Sequence, residues 1–203
     1  MTRKASRPSG RALAAGVITA ATLGAETAPS AHATSPAPAP APVALVSALQ
    51  SARLAGEGEL RFLGFRVYTA RLWVHGNARN TADLLQQPLA LELRYLRNLS
   101  GETIVEGSDK EIARLGFGDA AQRTRWSSQM ARVFPSVKEG DRLTGLFDPA
   151  RGVRFFHNDQ PIGAIDDAEF GRAFLSIWLD ERTQAPSLRQ SVMQRLPTLA
   201  RHP

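Results

Sequence analysis

The chain contains two kinds of pattern: short stretches in which apolar and polar residues alternate, and longer stretches in which apolar residues recur at helical spacing. The alternation in "LALELRY", residues 89–95, puts the leucines on one face and the charged residues on the other, which predicts a strand. Residues 60–74, "LRFLGFRVYTARLWV", predict one long strand, and the Gly-Glu-Gly of residues 56–58 predicts a turn that joins it to a short strand. Two more hairpins are predicted around turns at residues 148–152 and 158–160.

Four segments carry helix signals. The first, "SGETIVEGSDKEIARLG", begins at Ser100, a favourable N-cap, and ends at Gly116. The second, "DAAQRTRWSSQMARVF", has an apolar stripe, and the third, "DDAEFGRAFLSIWLD", starts with Asp166 and Asp167, which suit an N-cap better than acid–base catalysis. The last, "APSLRQSVMQRL", opens with Pro186. Antiparallel strands with helices inserted between them predict an α+β domain whose helices pack on one face of the sheet.

The N-terminal part of the chain has a different character. Residues 1–33 combine a basic start, a short apolar segment and the motif Ala31-His32-Ala33, which together are typical of an export signal, the alternative being a disordered basic tail. Residues 34–43, "TSPAPAPAPV", predict an extended Pro/Ala linker, and residues 44–203 form the predicted domain. We therefore expect a periplasmic or secreted protein without a stable membrane span after cleavage, because the apolar segment is too short for one.

Composition narrows the classes of function. Cleavage after Ala33 would lower the formal net charge from +6 to about +3, and the remaining arginines are scattered, so we expect no nucleic-acid partner. The chain has no cysteine, which excludes disulfides and thiolate chemistry. We expect no metal site, because none of the three remaining histidines, His75, His157 and His202, has a carboxylate at metal-ligand spacing. We also expect no cofactor, because the sequence contains no phosphate-binding fingerprint.

The strongest candidate for chemistry lies within residues 60–74. Arg61 and Tyr68 would share a face of the strand if a bulge at Gly64 shifted the register by one residue. Together they would suit a carboxylate or an enolate, because arginine offers paired N–H donors and tyrosine adds an O–H. The alternative is that the arginines of this stretch reach solvent at a sheet edge. We expect the other two, Arg66 and Arg71, to reach solvent or acidic neighbours.

Four motifs, taken in order, resemble a known family. They are "LAGEGELRFLGFRVYTARLWV", "LRYLRNLSGETI", "KEGDRLTGLFDPARGVRFFHNDQPIGAI" and "FGRAFLSIWLD". They extend over about residues 50–194 and resemble the bacterial chalcone isomerase-like proteins. The resemblance implies an open-faced β-sandwich, in which a large antiparallel sheet carries a helical layer on one face and a ligand cleft lies between them. It also implies that no cofactor is needed.

The resemblance further implies which residues form the site. Tyr68 stands where the enzymes have a catalytic Thr and the fatty-acid-binding members have a Tyr, and Arg61 is the nearest match to the arginine of the family. Ile177 stands where the enzymes have a substrate-binding Thr, and Asp180 replaces a glycine. Isoleucine cannot hydrogen-bond a phenol. Each lost donor would cost on the order of 100-fold in rate, so we expect little or no chalcone isomerase activity.

The leading hypothesis is therefore a binding protein for a small amphipathic anion, such as a fatty acid or an aromatic acid, held through Arg61, Tyr68 and Ile177. Aromatic residues expected in the cleft wall or in the core are Phe65, Trp126, Phe174 and Trp178. One alternative is a cofactor-free intramolecular lyase that acts on a flavonoid-like substrate. Another is an envelope assembly protein whose cleft is filled by aromatic side chains and whose Arg61 is paired internally.

Overall fold

The computed structural model describes residues 52–76 and 78–196. The predicted export signal, residues 1–33, and the predicted linker, residues 34–43, lie outside the described residues, so both stay predictions. None of the helices in the described ranges combines the length and the apolar character that crossing a bilayer requires.

A six-stranded sheet forms one layer of the described domain, and each strand pairs antiparallel with its neighbours in the chain. The strands are β1 (Arg53–Phe62), β2 (Phe65–Val74), β3 (Leu89–Tyr95), β4 (Arg142–Asp148), β5 (Gly152–His157) and β6 (Gln160–Ile165). Because the spatial order equals the chain order, β1 and β6 are the two edges of the sheet. Strands alternate in direction, so the β1–β2 turn and the β5–β6 turn lie at the same end of the sheet.

Helices form the second layer. They are α1 (Thr81–Leu84), α2 (Gly101–Leu115), α3 (Ala120–Val133), α4 (Ala168–Leu179) and α5 (Pro186–Val192). Helix α5 packs on β1 and β2, α4 on β4 and β5, and α3 on β6, whereas α2 packs mainly on α3 and α4. This arrangement confirms the predicted α+β fold with an open antiparallel sheet. It also leaves space between α2 and the middle of the sheet. The short α1 was not predicted.

Local signals begin and end the helices where the sequence predicts. Ser100 accepts a hydrogen bond from the backbone N–H three residues along, and Gly116 ends α2 with a φ of 84°. Of the two aspartates before α4, Asp167 is the N-cap, and it also accepts a hydrogen bond of 2.8 Å from Nε1 of Trp126. Pro186 opens α5 as expected. The side chains of Ser100 and Asp167 satisfy backbone N–H donors that would otherwise lack partners at the N-termini of these helices.

The core lies between the sheet and the helices. The alternation of β3 turns its leucines and Tyr95 toward the helices, and Phe170 and Phe174 of α4 pack there as stacked rings 5.5 Å apart. Trp126 and Met130 of α3 are buried in the same core, as the apolar stripe predicts. The helical spacing and the strand alternation thus meet at one apolar layer.

The stretch over residues 60–74 is a hairpin, so the prediction of one long strand is wrong. Phe62 pairs with Phe65 across a two-residue turn formed by Leu63 and Gly64. Their φ angles are 49° and 83°, and positive φ at both positions is the geometry of a type I′ turn. Leucine is not a turn-forming residue, which is why the sequence pattern runs through this turn without a signal.

The predicted turn at the Gly-Glu-Gly sequence is also wrong, because these residues lie inside β1. A Cβ on Gly56 would overlap the backbone carbonyl oxygen of Ser191 in α5. A Cβ on Gly58 would lie 2.7 Å from Cβ of Ser191 and 2.8 Å from Cδ1 of Leu188. The two glycines therefore let a helix approach the edge strand closely, which is another established use of glycine within a strand.

Candidate ligand-binding cleft

A cavity of about 400 Å³ lies between the sheet and the helical layer. Strands β1 to β5 provide one wall, and α2, α4 and the segments after α3 and α4 provide the other. The apolar wall residues are Leu91, Leu93, Leu143, Phe155, Ile104, Phe134, Phe174 and Ile177. Small-molecule sites usually enclose roughly 300–1,000 Å³ and are lined mainly by apolar side chains. The cavity therefore has the size and the character of a site for a small apolar or amphipathic molecule.

Two glycines line this cavity where side chains would narrow it. Gly145 lies in the middle of β4, and a Cβ there would come 3.2 Å from Cγ1 of Val153. Gly107 lies on the exposed side of α2 at the mouth of the cavity, and a Cβ there would meet no heavy atom within 4 Å. A side chain at Gly107 would thus extend into the open mouth without a clash in the protein.

Tyr68 is a polar residue of the inner wall. Nε1 of Trp178 donates a hydrogen bond of 2.8 Å to the Tyr68 hydroxyl oxygen, which fixes the position of that oxygen. In the described part of the chain no group accepts a hydrogen bond from the Tyr68 hydroxyl, so this O–H can donate a hydrogen bond to a molecule in the cavity. Burial raises the pKa of Tyr68, and the Glu111 carboxylate raises it further, so the hydroxyl stays neutral at physiological pH.

Tyr95 stands beside Tyr68 on the neighbouring strand. The two residues pair across β2 and β3, and their rings meet edge to face with centroids 5.9 Å apart. Burial raises the pKa of Tyr95 as well, followed by a contribution from Tyr68. Two neutral tyrosines are thus neighbours in one wall of the cavity. Neutral tyrosines donate hydrogen bonds to anions but do not act as bases.

The mouth of the cavity carries charged side chains. Lys110 of α2 is exposed there, and within residues 52–76 and 78–196 no carboxylate lies at ion-pair distance from it. Its neighbour Glu111 pairs with Arg114 at 2.9 Å. Arg61 lines the mouth from the opposite side, and its side chain is 62% exposed. These two cations would attract an anionic molecule toward the opening of the cavity.

The register of the β1–β2 hairpin decides the relation of Arg61 to Tyr68. The predicted bulge is present, but its extra residue is Val67 of β2 and not Gly64, which lies in the turn. The shift sets Arg61 opposite Arg66 and leaves Tyr68 opposite a leucine of β1. The structure thus brings Arg61 and Tyr68 to one cavity without bringing the two side chains into contact.

Acidic neighbours pair with the arginines of this hairpin, as expected for Arg66 and Arg71. Glu59 pairs with Arg66 and also with Arg61, at 2.9 Å from Nε of the latter. Arg71 pairs with Glu57 and lies 3.5 Å from the buried carboxylate of Glu92. Burial raises the pKa of the Glu92 carboxyl, and Arg71 opposes this effect. Because Arg61 is exposed and already paired, its attraction for a ligand is weaker than a buried arginine would provide.

Positions of the other predicted residues differ. Ile177, Phe174 and Trp178 line the cavity. Trp126 is buried in the core away from it. Phe65 is 65% exposed at the hairpin tip, so its expected place in the wall or the core is wrong. That error has the same origin as the missed turn, since a strand over residues 60–74 would have turned Phe65 inward.

Three features of the cavity were not predicted as site residues, namely Tyr95, Lys110 and Gly107. The alternation of β3 does put Tyr95 on the helix-facing side, so its place in a wall could have been found from the sequence. Lys110 and Gly107 lie on the exposed side of a helix, where a lysine is ordinary and a glycine only lowers helix propensity. Neither residue gives a signal without knowledge of the gap between α2 and the sheet.

Comparison with known proteins agrees with this fold. A family model described as chalcone isomerase-like matches residues 40–193. An uncharacterised protein of Haemophilus influenzae is 31% identical over 124 residues, which cover 61% of this chain and 59% of that protein. The match therefore spans about three fifths of that relative's length.

A solved structure shares the fold. The crystal structure of the fatty-acid binding protein AtFAP1 of Arabidopsis thaliana matches with a TM-score of 0.57 and 13% sequence identity. The match covers 74% of this chain and 91% of AtFAP1. With the family model matching most of the described domain, this chain belongs to the chalcone isomerase-like family.

Proposed function

We propose that this protein binds a small amphipathic anion, such as a fatty acid or an aromatic acid, in the cleft between the sheet and the helices. The observation that carries the proposal is the open apolar cavity of about 400 Å³, in which the Tyr68 hydroxyl can donate a hydrogen bond. A hydrogen bond from this hydroxyl to a carboxylate is charge-assisted and stronger than a neutral one. The fold shared with AtFAP1, a fatty-acid binding protein, supports the choice of ligand class.

Binding is favoured over catalysis because the cavity offers donors without a base. The titratable residues that line it in the described chain are Arg61, Tyr68, Tyr95, Lys110 and Glu111. Both tyrosines have raised pKa values, and the carboxylate is engaged by an arginine. The hydroxyls of two further lining residues, Ser108 and Thr183, donate to backbone carbonyls.

A cofactor-free intramolecular lyase is the second candidate. The observation in its favour is the pair of neighbouring tyrosines, Tyr68 and Tyr95, whose neutral hydroxyls could stabilise a developing enolate. Ile177 in the wall speaks against it, because an apolar side chain cannot position a phenol. The assembly-protein alternative expects a filled cleft. Arg61 is paired internally as that alternative requires, but the cleft is open.

Calorimetric titration of delipidated protein with dodecanoate tests the proposal. We expect saturable binding that Tyr68→Phe weakens by roughly 1.5–3 kcal/mol, since a charge-assisted hydrogen bond is lost. Arg61→Ala should weaken binding by about 1 kcal/mol or less, because the guanidinium is exposed. Absence of binding by the unmodified protein would refute the proposal. Cyclisation of a 2′-hydroxychalcone above the spontaneous rate, abolished by Tyr68→Phe, would establish the lyase instead.

Gly107 provides a test that does not depend on polar contacts. Gly107→Leu should obstruct the mouth and lower dodecanoate affinity roughly tenfold or more, as poorly accommodated groups do in apolar sites. Gly107→Ala is the matched control, since it adds only a methyl group. Both substitutions should raise the thermal midpoint, because each replaces a glycine within a helix. Unchanged affinity in Gly107→Leu would place the ligand elsewhere.

We also propose that the protein acts in the periplasm or outside the cell. The support is the combination of a basic start, a short apolar segment and Ala31-His32-Ala33 in the sequence. Mass spectrometry of the protein recovered from cell fractions tests this. An N-terminus at Thr34 in the non-cytoplasmic fraction is the expected result, and an uncleaved chain in the cytoplasm would contradict it.

A further inference from the structure

The tip of the β1–β2 hairpin exposes large apolar side chains. Phe62 is 65% exposed, Leu63 81% and Phe65 65%, and they are the large hydrophobic residues that stand exposed in the described part of the chain. The three are contiguous around the turn, so they form one patch. Single exposed hydrophobic residues need no explanation, but a contiguous exposed group marks a surface that another phase or molecule covers.

Leu63 occupies its position against backbone preference. Its φ of 49° lies in the left-handed region, where a side chain with a Cβ costs about 1–2 kcal/mol and where Asn, Asp or Gly is usual. The side chain is nevertheless a bulky apolar one that projects into solvent. Neither its backbone conformation nor packing against residues 52–76 and 78–196 accounts for this leucine, which points to a role outside the molecule.

Positive charge surrounds the patch. Arg61 and Arg66 flank the turn, and both pair with the same carboxylate, Glu59. Arg97 lies over the ring of Phe65, with its guanidinium carbon 5.7 Å from the ring centroid. Three arginines against one glutamate leave two net positive charges at the tip. An apolar tip within a basic collar matches the interfacial region of an anionic membrane, where apolar side chains enter below the headgroups and cations remain among them.

The hairpin also borders the cavity. Arg61 and Phe62 line its mouth, so the exposed apolar patch is continuous with the opening. We propose that the β1–β2 tip docks the protein reversibly on anionic phospholipid membranes, with Phe62, Leu63 and Phe65 inserted into the interface. Docked in this way, the cavity opens toward the lipid surface. The inference is independent of the ligand proposed for the cavity, because Leu63, Phe65 and Arg97 do not line the cavity.

Co-sedimentation with vesicles tests the docking. The protein should bind vesicles of phosphatidylethanolamine with phosphatidylglycerol and should bind vesicles of phosphatidylcholine weakly, with affinity falling as salt is raised. Leu63→Asn should lower binding roughly tenfold or more, since a side chain that enters the membrane is lost. This variant is expected to fold, because asparagine suits a positive φ. Dodecanoate affinity measured without vesicles should stay unchanged.

Charge variants separate the basic collar from net charge in general. Arg97→Gln should weaken binding to the anionic vesicles roughly fivefold and should reduce its dependence on salt. Arg151→Gln is the matched control, because Arg151 is an exposed arginine in the β4–β5 turn at the opposite end of the sheet. Equal losses in the two variants would mean that the tip has no special part, which would overturn the proposal.

Two further results would also overturn it. One is the absence of binding to anionic vesicles by the unmodified protein. If sedimentation velocity then shows self-association that Leu63→Asn abolishes, the patch is a contact between protein molecules. The other is binding to anionic vesicles that Leu63→Asn leaves intact.

Discussion

The two edge hairpins of the sheet have the same backbone and opposite side-chain chemistry. Each has a two-residue turn with positive φ at both positions, 49° and 83° at Leu63 and Gly64, and 48° and 70° at Asn158 and Asp159. Each has a register shift close to its turn. The two turns lie at the same end of the sheet. The Leu-Gly turn projects an apolar side chain into solvent, whereas the Asn-Asp turn directs both side chains back to the protein.

The Asn158-Asp159 turn, here called the polar turn, is hydrogen-bonded to the start of the neighbouring strand β4. Nδ2 of Asn158 donates to Oδ1 of Asp141 at 2.8 Å, and Oδ1 of Asn158 accepts from the backbone N–H of Arg142 at 2.8 Å. Asp159 pairs with the Arg142 guanidinium. The side chains of the Asn158-Asp159 turn thus stabilise the fold, while Leu63 makes no comparable contact with the described part of the chain. The difference shows that a turn can be specified by its own chemistry or retained in spite of it, and the second case points to function.

The largest expected effect is at the polar turn. Asn158→Ala removes three side-chain hydrogen bonds, one of them to a carboxylate and one a long contact of 3.4 Å with His157, and places an alanine at a φ of 48°. Together these losses should lower the free energy of unfolding by roughly 2–4 kcal/mol, measured by urea denaturation. Asn158→Gly is the control, since it removes the same bonds but tolerates the backbone. A smaller loss in Asn158→Gly than in Asn158→Ala measures the backbone part, and equal losses would show that φ does not matter there.

The next effect concerns pH. The hydrogen bond from Asn158, followed by that from the Lys138 backbone N–H, lowers the pKa of Asp141 from an ordinary value near 3.8 to about 2. A carboxyl whose pKa is lower in the folded state stabilises the fold above its unfolded pKa, and this stabilisation is lost as the pH falls through the folded pKa. Asp141→Asn should therefore be less stable than the unmodified protein at neutral pH by about 1–2 kcal/mol.

Urea denaturation over a series of pH values checks this expectation. The difference between Asp141→Asn and the unmodified protein should shrink below pH 3.8 and nearly vanish below about pH 2. Asp148→Asn serves as the control, because this aspartate belongs to the β4–β5 turn at the other end of the sheet. A difference that stays constant with pH would mean that ionisation of Asp141 does not contribute.

Most of the fold could be predicted because its local signals agree with its tertiary packing. The caps at Ser100 and Asp167 and the Asn158-Asp159 turn are encoded by residues that satisfy backbone groups close in sequence. The Leu63 turn has no such signal, and Gly56 gives a misleading one, because the reason for that glycine is a helix distant in sequence. Contacts of this kind appear only once the layers are assembled.

The site could be predicted in part. Tyr68 and Ile177 reach the cavity, as the family resemblance implied, and their roles in binding stay predictions. The relation between Arg61 and Tyr68 could not be predicted, because a bulge one residue away reverses the face on which a side chain lies. The opening at Gly107 depends on where α2 lies relative to the sheet, and no local pattern determines that distance.

A smaller effect of opposite sign is expected at the apolar turn. Leu63→Asn should raise the free energy of unfolding by about 1 kcal/mol, because asparagine adopts positive φ more readily than leucine. Thermal unfolding followed by circular dichroism measures this. A stabilised variant that no longer binds vesicles would show that the leucine is retained for function at the expense of stability. A destabilised variant would instead mean that Leu63 packs against the protein.

The smallest expected effect lies beside that turn. Arg97 over the ring of Phe65 forms an exposed cation–π contact, for which about 0.5–1 kcal/mol is usual. Phe65→Leu keeps an apolar side chain at the tip and removes only the aromatic face, so urea denaturation should show a loss within that range. A double-mutant cycle with Arg97→Gln measures the strength of this contact as the coupling energy between the two residues. A coupling energy near zero would mean that the Phe65 ring does not stabilise the position of Arg97 at the tip. Its position would then serve the basic collar alone, and the contrast with the ion-paired Asp159 at the other turn would be sharper still.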